Sequence, residues 1–170
     1  MKKLALLTLL AASSAMAAGE TASATLTVTG TVSGALSITI DSAPGTFSGG
    51  GTNAATSDLG VFTQFAPPAG FTPTSTGPSS FSLTGAIGIT VSATNVVSAN
   101  YDLTANLGNP AETGLTYHLG AGAVVVTNAA PVTVAAAHAY GAFSLPWVLD
   151  VNSTNSIAIN NSINLVATAN

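Results

Sequence analysis

Residues Thr21 to Ile40 read TASATLTVTGTVSGALSITI. No even-numbered position from Ala22 to Ile40 carries a polar side chain, whereas the odd-numbered positions are Thr or Ser except at Ala35. Successive side chains of a strand point to opposite faces, so this period of two predicts β-structure with one dry face and one wet face. Fully extended, the stretch would span roughly 60 Å at about 3.3 Å per residue, several times an ordinary strand. It must therefore be divided, and Gly30 and Gly34 are where a bend costs least. The second half is expected in the chain's own sheet, and the first half either folds back or is offered to a neighbour.

Outward from that stretch, residues 1–17 have the pattern of a secretory signal peptide: Lys2 and Lys3, an apolar run from Leu4 to Ala12, and the small-x-small site Ala15-Met16-Ala17. The apolar run is about half of the roughly 20 residues that a spanning helix needs. The expectation is a secreted protein with an N-terminal extension over 18–30 and a single domain over 31–170.

Lys2 and Lys3 are the only basic residues, so the processed chain would carry no Lys or Arg and all six acids, Glu20, Asp41, Asp58, Asp102, Glu112 and Asp150. Without a cationic side chain of that kind it cannot neutralise phosphates, which argues against a nucleic-acid partner, or present a basic patch to anionic lipid. Only 5% of residues are charged, leaving little electrostatic repulsion between copies, as suits a protein that packs against itself. Cysteine is absent, so no disulfide supports the fold.

Downstream, Asp41 to Gly45 has turn chemistry and Gly49-Gly50-Gly51 reads as a loop, because the Lys of a phosphate loop is missing. A short strand is expected around 59–65, an irregular Pro-rich connection over 66–80, and a long strand over 81–93 with Phe81, Leu83, Gly85, Ile87, Ile89, Val91 and Ala93 on one face. Alternation predicts further strands at 101–107, 115–119, 143–151 and 163–169, and a hairpin joining 123–127 to 132–136. Pro146 suggests an edge or a bulge. Roughly eight to ten short strands without a sustained 3.6-residue period predict an all-β fold, an antiparallel Ig-like or pilin-like sandwich with an extended N-terminal strand.

Chemistry-bearing constellations are scarce. His118 falls opposite Leu115, Tyr117 and Leu119 and is expected to be solvated, and His138 has no second His at metal-ligand spacing. Asp150 to Thr154 lacks the glycine and closing glutamate of a calcium loop. No G-x-S-x-G elbow occurs, and the acids are scattered singly. The chain reads as a non-enzyme, with no catalytic residue, cofactor site or metal site predicted. Trp147, flanked at two-residue spacing by Leu145 and Leu149, reads as core. Asn152 and Asn160 stand in N-x-S/T sequons.

The layout resembles the secreted pilin-type sandwiches, in particular spore-coat-protein-U-like and chaperone–usher subunits. The resemblance is carried by the leader, the strand beginning Ala24-Thr-Leu-Thr-Val-Thr-Gly-Thr-Val, the strand Tyr101-Asp-Leu-Thr-Ala-Asn-Leu-Gly, the Leu115-Thr-Tyr117 strand and the closing alternation from Ser162 to Ala169. The chain departs from those families in lacking the disulfide they usually carry near the first strand. The resemblance implies donor-strand complementation, with Ala22, Ala24, Leu26 and Val28 as plugs in the sheet of a neighbouring copy and Thr21, Ser23, Thr25 and Thr27 towards solvent. It implies a homopolymer, an extracellular filament or surface coat, with a periplasmic chaperone or export machinery as a further partner. The alternative is a secreted monomeric sandwich that binds carbohydrate or another surface ligand, its first strand paired within its own body. An outer-membrane barrel is disfavoured, since only 6% of residues are aromatic.

Overall fold

The structure, a computed structural model, describes residues 27, 29 and 33–170. The leader, the four plug residues Ala22, Ala24, Leu26 and Val28, and the rest of the 18–30 extension lie outside the described residues, apart from Thr27 and Thr29, which are exposed.

The described chain is all-β: β1 (Ala35–Ser42), β2 (Thr46–Ser48), β3 (Thr56–Asp58), β4 (Thr72–Gly77), β5 (Ser80–Thr94), β6 (Asn100–Leu107), β7 (Leu115–Leu119), β8 (Val124–Val126), β9 (Val132–Ala139), β10 (Gly141–Asn152) and β11 (Ile163–Ala169). All pairings are antiparallel. One sheet has the order β1-β5-β10-β7-β8, with β4 on the same edge of β5 as β1, and the other has the order β11-β6-β9.

The long strand β5 is the frame. It pairs with β10 along twelve residues, from Gly141↔Val91 to Asn152↔Ser80. Its other edge is shared: β1 pairs with its C-terminal half over Gly88–Thr94, and β4 with its N-terminal half over Ser80–Thr84. Alternation dictates the inward face, so Leu83, Ile87, Ile89 and Val91 of β5 meet Tyr101, Leu103, Ala105 and Leu107 of β6 with Leu145, Trp147 and Leu149 of β10, all buried. Gly85 interrupts that row for a packing reason. A Cβ there would lie 2.9 Å from the Phe71 ring and 2.8 Å from Pro44, so its absence lets Phe71 pack edge-on against Trp147 at 5.0 Å.

Several expectations change. The strand expected at 59–65 is a turn closed by a Thr63↔Ala66 bridge, and the strand nearby is β3, three residues earlier. The interval 66–80 contains β4, because prolines are tolerated on an edge strand whose N–H groups need no second partner. The stretches 123–127 and 132–136 do not form a hairpin: β8 joins β7 in one sheet and β9 joins β6 in the other, so the chain crosses between layers at Asn128–Pro131. Pro146 lies in a central strand rather than at an edge. Its carbonyl faces the turn after β7 and accepts the Gly120 N–H at 2.9 Å, so the proline nitrogen falls just past the end of the β7 ladder.

Candidate functional site

A sandwich has two lateral seams where its layers meet, and here they differ. At the seam on the β8 and β9 side the N–H of Leu107, the last residue of β6, donates to the carbonyl of Thr127, just after β8, at 3.0 Å, and Val126 and Val134 are buried. At the other seam β1 and β11 face each other. Leu36, Ile38 and Ile40 from β1 and Ile163, Leu165 and Ala167 from β11 are only half-buried, although they continue the inward rows of the two sheets. These six side chains line a furrow of about 430 Å³.

The edges beside that furrow are largely open among the described residues, since β11 pairs only with β6 and β1 only with β5 apart from a bridge between Ile40 and Thr52. Alternate residues of a strand direct their backbone groups to the same side. On β1 the outward set is marked by Ile40, whose N–H donates to Thr52 O and whose carbonyl accepts Gly51 N–H, both at 2.8 Å. Leu36 and Ile38 therefore present N–H and C=O outward, and the 51–52 loop closes the edge at Ile40. On β11 the Ser162 carbonyl accepts Gly108 N–H at 2.9 Å on the β6 side, which puts the groups of Ile163, Leu165 and Ala167 outward. Open edges beside half-buried apolar rows can accept one more strand, hydrogen-bonded at its main chain and held by alternate side chains.

At its Ile40 end the furrow runs into a second cavity of about 320 Å³, which shares Ile40, Ile163 and Leu165 with it and adds Leu59, Trp147 and Ile159. The strap from Asn152 to β11 forms its rim, and Glu112 ties that strap down: the Tyr117 hydroxyl donates to Oε2 and the Asn160 N–H to Oε1, both at 2.8 Å. Partial burial pushes the Glu112 carboxyl up, but the Asn160 N–H and the Tyr117 hydroxyl outweigh it, so the group sits below the ordinary value of 4.5. Burial, and then the Glu112 carboxylate, pushes the Tyr117 phenol well up. Trp147 is buried, as its spacing predicts, and its Nε1 has no hydrogen-bond partner among the described residues.

The titratable side chains elsewhere form structural contacts. Asp150 accepts the Ser82 hydroxyl at 2.5 Å, and His118 Nε2 stands 2.9 Å from its other oxygen, so Ser82 and His118 meet the carboxylate separately and make no nucleophile–base pair. His118 is on the outer face as expected but is not fully solvated, because Nδ1 also lies 3.0 Å from the Ala123 carbonyl oxygen. His138 packs on Phe143, with ring centroids 4.3 Å apart. Among the described residues no three His, Asp or Glu side chains could together hold a metal ion. The open seam was missed in the sequence. Its signal, apolar alternation in the strands at both ends of the domain, is visible there, but which strands would be edges is not.

Comparison with protein-family models, with curated proteins and with solved structures finds no match. The fold is an all-β antiparallel sandwich in which the facing edges of β1 and β11 are largely unpaired among the described residues.

Proposed function

We propose that this chain is a structural subunit of an extracellular filament or surface coat, and that it polymerises by placing the 21–28 segment of one copy in the β1/β11 seam of the next. The observation that carries the reading is the furrow itself, with inward rows Leu36, Ile38, Ile40 and Ile163, Leu165, Ala167 half-buried beside two edges that are largely open among the described residues. The alternation Ala22, Ala24, Leu26, Val28 has the same two-residue period as those rows. Burying Leu26 and Val28 contributes about 1.5–3 kcal/mol each, before the two hydrogen-bonded ladders are counted. A nearly uncharged surface lowers the repulsion between successive copies.

The test is removal of residues 20–29. The intact processed chain is expected to scatter light as long polymers and the truncated chain as monomers or small aggregates. Fibres that persist after the truncation, or a sharp monomer peak of the intact chain at high concentration, would overturn the reading. The second of those results would favour the secreted monomer whose first strand turns at Gly30–Gly34 into its own seam.

A further inference from the structure

We infer that successive copies also touch end to end, the 94–99 loop of one copy packing on the Val61/Phe65 turn of the next; this rests on the strand-exchange reading above. Val61, Phe65 and Val97 are 104%, 93% and 103% exposed, far more than the other large apolar side chains at the surface, Val125 and Val166, at 47% and 53%.

The three side chains lie towards opposite ends of β5. Val97 follows the C-terminal end of β5, where Thr94 pairs with Ala35 at the start of β1. The Val61/Phe65 turn is anchored at the other end of β5, Phe62 packing edge-on against Phe81 at 6.5 Å. Phe81 and Thr94 are separated by roughly 40 Å of strand at about 3.3 Å per residue. The turn is held in shape by mutual backbone hydrogen bonds between Thr63 and Ala66, at 3.1 and 3.2 Å, so it presents Val61 and Phe65 at little further ordering cost.

Connectivity brings these ends together. Gly34, just before β1, lies beside the 94–99 loop: a Cβ on it would lie 2.7 Å from the Asn95 carbonyl oxygen. Ile40 and Ile163 share the second cavity, whereas Leu36 and Ala167 line only the furrow, so β1 and β11 run in opposite directions along it. A donor strand antiparallel to β1 would place its own body at the end from which the acceptor's extension departs. Two copies could then exchange strands reciprocally and close, and no filament would grow. An open chain needs the donor parallel to β1, leaving β1 for the β11 side where the 51–52 loop closes the edge at Ile40, with its body beyond that end. Residues 29–34 span at most about 20 Å, which holds the donor's 94–99 loop against the region that carries Leu59 and the Val61/Phe65 turn. The loop Thr94-Asn95-Val96-Val97-Ser98-Ala99 has no charge, and desolvating the contact costs no ion its water.

The chain contains no cysteine, which makes cross-linking clean. Filaments of a chain carrying both Val97→Cys and Phe65→Cys, and separately Val97→Cys and Val61→Cys, are oxidised and run without reductant. A covalent ladder of many rungs is expected from at least one double variant, and no more than dimers from any single variant. The two positions are far too distant within one copy for an internal bridge. Normal filaments with no ladder from either double variant would overturn the end contact and leave strand exchange standing. An intact chain that forms no filament would overturn both.

Discussion

On one side of the sandwich, Leu107 and Thr127 share a backbone hydrogen bond across the layers, Val126 and Val134 are buried, and Gly120 lies so close to β9 that any Cβ would collide with the Val134 carbonyl. On the other side, Leu36 and Ile38 face Leu165 and Ala167 with no backbone bond between β1 and β11 among the described residues. Both seams are made of aliphatic residues on alternating strands. The difference is one of connection: β8 and β9 are joined by the five-residue crossover Thr127–Pro131, whereas β1 and β11 are the first and last described strands, joined by everything between them. A short crossover confines its strands to adjacent layers, whereas β1 and β11 are brought together through their own apolar rows alone.

Substitutions can break that contrast. Leu107→Ala at the bonded seam removes a side chain that is 1% exposed and should lower unfolding free energy by about 2–5 kcal/mol. Leu165→Ala in the furrow should cost an isolated subunit less, since a partly exposed side chain loses less transfer energy than a fully buried one. Urea titration of both variants measures the difference, and equal losses would mean that the two seams are equally closed. In filaments the Leu165→Ala cost should grow, because an added strand would cover that position.

The Glu112 clasp offers a smaller handle. Its carboxyl sits below its ordinary value in the fold, so its contribution is fully present above pH 4.5 and is lost as pH falls through and below that value. The intact chain should therefore lose stability in that acid window, and Glu112→Gln should flatten this part of the profile at a cost of less than about 2 kcal/mol near neutrality. An unchanged acid profile would show that the strap over the second cavity does not depend on this carboxylate.

The smallest effect is expected at Tyr101, which is fully buried, stacked on Tyr140 at 5.4 Å, and has a hydroxyl without a hydrogen-bond partner among the described residues. Tyr101→Phe keeps the ring and removes an unpaired polar atom, so stability should hold or rise by about 1 kcal/mol. A loss of more than that would reveal a partner for the hydroxyl.

Much of this architecture is legible in local pattern. Strands at 81–93, 101–107, 115–119, 143–151 and 163–169 are each announced by two-residue alternation, and so is the burial of Leu83, Leu103, Leu145 and Trp147. Reading fails where a strand is neither alternating nor apolar, as in β4 with its Thr-Pro-Thr-Ser-Thr, which exists because β5 extends beyond β1 and offers an edge to pair with. It fails again at 123–136, where turn chemistry between two apolar runs describes a hairpin and a crossover equally well.

Composition and alternation alone determined the all-β class, the wet and dry faces, the nearly chargeless surface and the absence of any disulfide. Which strands became neighbours was decided only in three dimensions, since hydrogen-bonded pairing joins residues far apart in the chain and a side-chain period of two says which way a residue points, not what it meets. The half-open seam between β1 and β11 is a property of that pairing. Leu36 and Leu103 look equally apolar along the chain, and it is the place of each strand among the described residues, at the edge of its sheet or between two others, that leaves one partly exposed and buries the other.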